Sequence, residues 1–209
     1  MTMSITDVLA DQMRLPHGPL APFAAHTLNR RNAALIARAI DALDVRPDHR
    51  LLDVGFGGAI SLRLFLDRVR GGQVCGIDPS REMVRRAHRM YFHEVEAGRL
   101  VLEPGRVEAI PFEGGSFDRI LTCQTVYFWS DVRAGLSELH RVLRPGGLCA
   151  VAMMPQSLQE DFGFRERGYN TVSHDELGAL LESSGFKVSS CPPPEGGPCW
   201  VLLAERPLG

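Results

Sequence analysis

Residues 51–59, LLDVGFGGA, combine an acidic side chain with a glycine-rich turn and are the segment most suited to chemistry. The apolar run around Asp53 predicts a buried parallel strand. Gly55 and Gly57 allow a sharp turn through which the backbone can approach a ligand closely. A buried carboxylate here would repel a pyrophosphate and attract an ammonium or sulfonium group. The segment therefore predicts a binding site for a ligand that carries positive charge.

A second acidic residue, Asp78, ends the next apolar segment, 21 positions after Gly57. A carboxylate at about this distance from a glycine-rich turn accepts hydrogen bonds from ribose hydroxyls, although Asp78 could also be a simple helix N-cap. The spacing serves nicotinamide dinucleotides and other adenosine cofactors alike. The dinucleotide fingerprint G-x-G-x-x-G, however, has Ile60 in place of its third glycine. We expect an adenosine cofactor, with a nicotinamide-dependent (NAD(P)) oxidoreductase as the alternative.

Strand-like and helix-like segments alternate from residue 50 onward, which predicts an α/β fold with helices on both faces of a parallel sheet. The predicted strands are residues 50–54, 73–77, 100–103, 118–123 and 147–153. The predicted helices are residues 58–68, 80–97, 131–143 and 173–184. Residues 186–191 and 199–204 should be two further strands, antiparallel because their connector is too short for a crossover helix. We therefore expect a doubly wound, seven-stranded, mostly parallel sheet with an antiparallel C-terminal hairpin.

Two segments outside this alternation are expected to cover the site. Residues 1–44 carry helical patterns at 4–14 and 22–43, and we assign them as an N-terminal helical cap or lid. Residues 45–209 then form the main ligand-binding domain. Residues 155–172 are polar and contain glycine, so we expect an irregular second lid there.

Composition excludes several other classes of protein. The 209 residues carry a net charge of −2, which gives no electrostatic footprint for nucleic acid. The five cysteines include no CxxC pair, so neither a zinc site nor a disulfide framework is indicated, and a reduced, cytoplasmic setting fits best. No signal peptide or membrane-spanning run is evident. Residues 124–131 hold a single acid, so we predict no metal site after the fourth strand.

Four segments in the same order resemble the motifs of class I S-adenosylmethionine-dependent methyltransferases. Residues 53–57, DVGFG, and Asp78 resemble the first two motifs, and residues 107–112, VEAIPF, with 115–118, GSFD, resemble the third. Residues 138–147, ELHRVLRPGG, resemble the segment that precedes the fifth strand. The similarity covers roughly residues 45–205 and is closest to the small-molecule branch that includes quinone-biosynthesis methyltransferases. It implies a Rossmann-like fold and S-adenosylmethionine as the cofactor.

The resemblance also implies which residues bind this cofactor. They are Asp53, Gly55, Phe56, Gly57, Asp78, Pro79, Met83, Glu108, Ala109 and Gln124. The backbone of residues 55–57 would lie under the methionine part, and Asp53 would hold its ammonium group. Asp78 would accept both ribose hydroxyls. Gln124 would border the methionine part and the transferred methyl group.

The adenine end of the cofactor has its own implied contacts. Pro79 and Met83 would pack on the face of the ring. Glu108 would accept a hydrogen bond from the adenine amino group, and the Ala109 N–H would meet the ring. Met83 could equally be an ordinary core residue, and Glu108 a solvated loop carboxylate.

The sequence says less about the methyl acceptor. Tyr127, Trp129 and Tyr169 could wall a flat organic substrate, or plug the end of the sheet. His26 is a weak candidate for a general base. We expect in-line transfer of the methyl group to O, N or C of a small metabolite. The alternative outside enzymology is a binding protein without turnover, and a homodimer is compatible with the sequence.

Overall fold

The computed structural model describes residue 18, residues 21–193 and residues 197–208. The helix predicted at 4–14, and residues 194–196 of the C-terminal connector, lie outside this range. The helices are α1 Ala21–Ala42, α2 Ile60–Arg68, α3 Arg81–Met90, α4 Phe92–Glu96, α5 Val132–Val142, α6 Gln156–Asp161 and α7 His174–Ser183. The strands are β1 Arg50–Val54, β2 Gln73–Asp78, β3 Leu100–Pro104, β4 Phe117–Cys123, β5 Leu143–Met153, β6 Lys187–Cys191 and β7 Trp200–Glu205.

The strands form one seven-stranded sheet in the order β3-β2-β1-β4-β5-β7-β6. The neighbours from β3 to β5 pair in parallel, whereas β7 pairs antiparallel with both β5 and β6. The doubly wound α/β fold with a C-terminal antiparallel hairpin is therefore confirmed. Buried apolar side chains form two clusters that include residues of the sheet and of the helices packed on it. Burial on both faces explains why the central strands read as continuous apolar runs.

The structure differs from the sequence prediction in two helical regions. The helix predicted over 80–97 is divided at Tyr91 into α3 and α4, and the Tyr91 hydroxyl donates to the Ala59 carbonyl at 2.9 Å. The segment predicted to be irregular, 155–172, contains α6. Its Gln159 is fully buried and donates to the carbonyl oxygens of Met154 (3.0 Å) and Val172 (2.8 Å). These hydrogen bonds hold residues 155–172 against the rest of the fold, and a pattern of apolar residues in the sequence could not predict them.

Candidate active site

A crevice opens at the carboxyl ends of β1 and β4, where the order of the sheet reverses. Chain connections from β1 lead toward β2 on one side, and β4 lies on the other side. Open α/β sheets bind their ligands at such a switch point. Here the crevice is a cavity of about 730 Å³. Its size is in the range of small-molecule pockets, about 300–1,000 Å³.

Asp53 lines this cavity from the end of β1 and is 2% exposed. Its Oδ2 is buried and has no hydrogen-bond partner among the residues that the structure describes. Burial raises the pKa of Asp53 to about 7, while a hydrogen bond from Ser61 opposes that rise and the nearby Asp78 adds to it. A buried carboxylate oxygen without a partner is costly unless a ligand supplies a donor or a positive charge. Asp53 is therefore suited to hold a cationic ligand group.

Asp78 lines the same cavity from the end of the adjacent strand β2, and it is 4% exposed. Its Oδ2 accepts from the Gly57 N–H at 2.8 Å, and its Oδ1 accepts from the Ser80 N–H at 2.8 Å. Burial raises the pKa of Asp78 to about 6, and these two hydrogen bonds oppose the rise. Each oxygen keeps a second lone pair, so the carboxylate can also accept from ligand hydroxyls.

The turn between β1 and α2 depends on residues with positive φ. Gly55 has φ of 77°, and a Cβ on it would lie 2.6 Å from the Thr125 side chain. Gly57 has φ of 47°, and Ala59, which precedes α2, has φ of 69°. Glycine adopts this region without strain, whereas alanine does so at a cost. The turn is thus built to leave its backbone close to the cavity, with Gly55, Phe56 and Gly57 all in its lining.

The far side of the cavity is formed by β4 and the segment after it. Gln124, which has φ of 60°, accepts at Oε1 from the Tyr127 hydroxyl (2.8 Å) and from the Met154 N–H (3.1 Å). The Tyr127 hydroxyl in turn accepts from the Met154 N–H at 2.6 Å. The Trp129 indole N–H donates to Thr125 Oγ1 at 3.1 Å. These bonds fix Gln124, Tyr127 and Trp129 in the cavity wall.

Comparisons with known proteins agree with this geometry. A family model described as a methyltransferase domain matches residues 52–151. The chain is 31% identical over 193 residues to 27-O-demethylrifamycin SV methyltransferase of Amycolatopsis mediterranei (strain S699), covering 86% of this chain and 70% of that relative. It is 34% identical over 110 residues to the ubiquinone/menaquinone biosynthesis C-methyltransferase UbiE of Geotalea daltonii, and this match covers 52% of this chain and 47% of that relative. The chain belongs to the class I S-adenosylmethionine-dependent methyltransferases.

Solved structures support the same fold for this methyltransferase. The crystal structure of YcgJ from Bacillus subtilis superposes with a TM-score of 0.72 at 18% identity, covering 85% of this chain and all of that one (100%). Identity at this level speaks for the architecture alone. The resemblance that the sequence motifs indicated is confirmed by the matched family model and the named relatives. These matches favour methyl transfer over the nicotinamide-dependent alternative.

Three residues expected at the adenine end of the methyltransferase cofactor make contacts within the protein, and their assignment to the cofactor stays a prediction. Met83 is 1% exposed, belongs to the apolar cluster under α3, and is not part of the cavity lining. Ala109 lies outside the lining as well, and its N–H donates to the Arg106 carbonyl at 3.2 Å. Glu108 does line the cavity, but its Oε1 accepts from the Ser130 N–H (2.5 Å) and hydroxyl (2.8 Å). Its bonds fasten the loop before α5.

Pro79, in contrast, lines the cavity as expected, next to the unpredicted residues Gly105, Arg106 and Val107. Arg106 is half-exposed and lies 3.4 Å from Glu108 Oε2. The Glu108 carboxylate therefore has protein partners on both oxygens. The hydrogen bonds from Ser130 and Asp131 hold the pKa of Glu108 below its usual value, although burial opposes this shift. The ionised carboxylate keeps further lone pairs, as Asp78 does, so a hydrogen bond from the adenine amino group to Glu108 stays a prediction.

Two residues expected on the acceptor side are not part of the cavity wall. Tyr169 packs behind it against Phe128 and Phe164, with ring centroids 5.1 and 5.6 Å away. His26 is exposed near the start of α1 and is not a lining residue. The lining residues of α1 begin one turn later, at Asn29. The role of His26 as a base stays a prediction that this lining does not support.

Arg38 is a site residue that the sequence analysis missed. Arg31, Leu35 and Arg38 share the cavity-facing side of α1, at spacings of four and three. The only sign of this in the sequence was that two arginines are spaced so as to lie on the same helix face as apolar residues. Such arginines are usually solvated, which is why the pattern alone did not distinguish them.

Asn29 joins α1 to the glycine-rich turn, and this contact leads to a prediction. Its Nδ2 donates to the Gly58 carbonyl at 2.8 Å, and its Oδ1 accepts from the Ile60 N–H at 3.4 Å. Because Ala59 offers no side-chain cap, Asn29 caps α2 from a distant helix. We expect Asn29→Ala to weaken S-adenosylhomocysteine binding by up to about fivefold, since a cap contributes about 1 kcal/mol to the geometry it holds.

Isothermal titration calorimetry measures this effect directly. The matched control is Arg30→Ala, which alters an exposed neighbour on α1 that does not line the cavity. An Asn29→Ala protein with both wild-type affinity and wild-type melting temperature would show that the contact does not support the turn.

Two absences hold for the part of the chain that the structure describes. Within it, no helix has the length and apolar character needed to cross a membrane. No group of three or more His, Cys, Asp or Glu side chains among the same residues is arranged to hold a metal ion.

Proposed function

We propose that this methyltransferase transfers the methyl group of S-adenosylmethionine to O, N or C of a small organic molecule. The observation that supports this most strongly is the pair of buried carboxylates, Asp53 and Asp78, in one cavity with an aromatic wall beside them. The partnerless Oδ2 of Asp53 fits the ammonium group of the cofactor. Asp78, adjacent on the sheet, fits the ribose hydroxyls. The wall of Tyr127 and Trp129 fits the acceptor.

The residues of this site hold the two reactants and exclude water. Asp53, Asp78 and the backbone at 55–57 would hold the cofactor, which supplies a methyl group already activated on a sulfonium. Gln124, fixed by its two hydrogen bonds, would border the reacting centre. The apolar wall keeps the acceptor dry and in line with the methyl group, and this positioning accounts for most of the rate gain in such a displacement.

The cavity offers little for deprotonating an acceptor. No histidine is among its described lining residues. Burial raises the pKa of the Tyr127 hydroxyl and of the Cys123 thiol, so both stay protonated near pH 7 and neither can serve as a general base. We infer that the acceptor reaches the site with its nucleophilic atom already deprotonated or otherwise nucleophilic.

We further propose that residues 1–44 serve as a lid on the domain formed by residues 45–209. The support is that Asn29, Asn32 and Arg38 of α1 line the cavity. The second half of α1 is part of the core, since Ala39, Ile40 and Leu43 around its end are fully buried. Any movement that admits ligands would therefore concern the first half of the helix.

Methyl transfer can be tested with S-adenosylmethionine labelled in its methyl group. The enzyme is incubated with a lysate of the organism that encodes it, and the lysate is separated into small molecules, protein and nucleic acid. We expect label in the small-molecule fraction, and none in a parallel reaction with Asp78→Ala. Label confined to protein or nucleic acid would contradict the proposed acceptor class.

A further inference from the structure

Arg38 places a positive charge in the cavity wall, and no carboxylate of the described residues forms a salt bridge with it. Its Nη2 donates to the carbonyl oxygen of Cys199, just before β7, while its buried Nε has no partner among the described residues. The guanidinium is charged at every physiological pH. A buried donor on a charged group is costly to leave unpaired, so its retention in a cavity wall indicates a ligand with an acceptor oxygen.

Arg38 is held by a part of the fold that carries none of the carboxylates in the described cavity lining. The cavity-lining carboxylates Asp53, Asp78 and Glu108 belong to β1, β2 and the segment after β3. Cys199, which holds the guanidinium, precedes β7, three strands from β1 in the order β1-β4-β5-β7. Arg38 acts electrostatically on the Cys123 thiol at the end of β4, as Asp53 also does. Among the groups that set the pKa of Asp53 are Ser61 and Asp78, and Arg38 is not one of them.

The cavity wall to which Arg38 belongs includes a group of aromatic rings. The rings of Tyr127, Phe128 and Phe164 pack against one another with centroids 5.2 to 6.0 Å apart, and all three residues line the cavity. Phe162 extends this wall, and the Arg31 guanidinium lies 5.5 Å above its ring. A flat hydrophobic body would pack on the rings while one negatively charged group reaches Arg38.

We propose that the methyl acceptor is a small aromatic anion, and that Arg38 binds its anionic oxygen. This inference rests on the proposed function, because it names the class of molecule that occupies the acceptor side of the same cavity. It agrees with the lack of a histidine in the described lining if the anionic oxygen held by Arg38 is the nucleophile: its bond to the methyl carbon forms as the sulfonium bond breaks, and no proton has to be removed. Arg38 is accordingly an acceptor-binding residue and a determinant of specificity.

The test uses a fragment set built in matched pairs, each aromatic carboxylate beside its neutral primary amide. Binding is measured by ligand-detected NMR in the presence of saturating S-adenosylhomocysteine, for the wild type, Arg38→Gln, Arg38→Met and the control Arg30→Gln. We expect the wild type to bind carboxylates in preference to amides. Either Arg38 variant should weaken carboxylate binding by about tenfold or more, whereas Arg30→Gln should leave it unchanged. The methionine variant keeps the packing of the stem if the glutamine variant is unstable.

Three results would overturn the proposal. The first is that the wild-type protein binds the carboxylates no better than their amides, or binds no fragment of the set at all. The second is a preference that survives in both Arg38 variants. The third is a loss of S-adenosylhomocysteine affinity in those variants of tenfold or more, because Arg38 would then hold the carboxylate of the cofactor. Failure of the wild type itself to bind S-adenosylhomocysteine would instead contradict the proposed function.

Discussion

Replacing Asp78 by alanine should lower the affinity for S-adenosylhomocysteine by about 100-fold or more, as measured by calorimetry at pH 8. A charged acceptor for two ribose hydroxyls is lost, and each such hydrogen bond contributes about 1.5–3 kcal/mol. The Gly57 N–H also loses the oxygen that holds it at 2.8 Å, so the glycine-rich turn is released at the same time. Above pH 7 the wild-type carboxylate is ionised, since its pKa is raised only to about 6.

The matched control for this change is Glu103→Ala. Glu103 is an exposed carboxylate near the end of β3, where it pairs in register with Ile77 beside Asp78. It does not line the cavity, so its loss should leave the affinity within about twofold of wild type. A folded Asp78→Ala protein that binds as tightly as this control would contradict the assignment of Asp78 to the ribose.

Replacing Asp53 by asparagine should make the ligand-free protein more stable at pH 8. Burial raises the native pKa of Asp53 to about 7 from the ordinary 3.8. Between these values the native state binds a proton that the unfolded state has released, so the free energy of unfolding falls as the pH rises from about 4 to 7. Asparagine does not ionise, so the variant avoids the cost of a buried negative charge at residue 53. Its free energy of unfolding at pH 8 should be higher than that of the wild type by roughly a few kcal/mol.

The same substitution should act in the opposite direction on ligand binding. Without the carboxylate, the ammonium group of S-adenosylhomocysteine loses its charged partner, and we expect about tenfold or greater loss of affinity at pH 8. Urea unfolding at several pH values, without ligand, measures the stability effect. Asp118→Asn is the control, because Asp118 is ion-paired with Arg144 and its replacement should destabilise the protein. If Asp53→Asn were less stable than the wild type at pH 8, the claim that Asp53 is a buried charge without a partner in the ligand-free protein would be contradicted.

The sequence predicted the strands and helices that have a clear apolar pattern or that end at glycine or proline. The apolar strands were predicted correctly, because parallel strands buried on both faces leave a continuous apolar run, and the antiparallel C-terminal hairpin was predicted correctly as well. Asp53 and Asp78 were placed by the same logic, since each follows such a run. Both line the single cavity at the switch point, where the carboxyl ends of adjacent strands meet.

The residue assignments that local sequence could not decide concern side chains whose direction depends on tertiary packing. Met83 lies one turn into α3, and whether it faces the cavity or the core is decided by the docking of the helix. Glu108 was assigned to a ligand, yet the loop at Ser130 competes for its oxygens from 22 positions away in sequence. Arg38 was overlooked because its partner Cys199 is 161 residues distant along the chain. Contacts over such separations leave no local pattern.

The central claim is that Asp53 and Asp78 bind opposite parts of one cofactor molecule. A crystal structure of the protein with S-adenosylhomocysteine measures this most directly. We predict both ribose hydroxyls within about 3 Å of the Asp78 carboxylate, and the amino group at Asp53 Oδ2 directly or through one water. A ligand bound elsewhere, or an amino group turned away from β1 with Asp53 Oδ2 still unpaired, would contradict it.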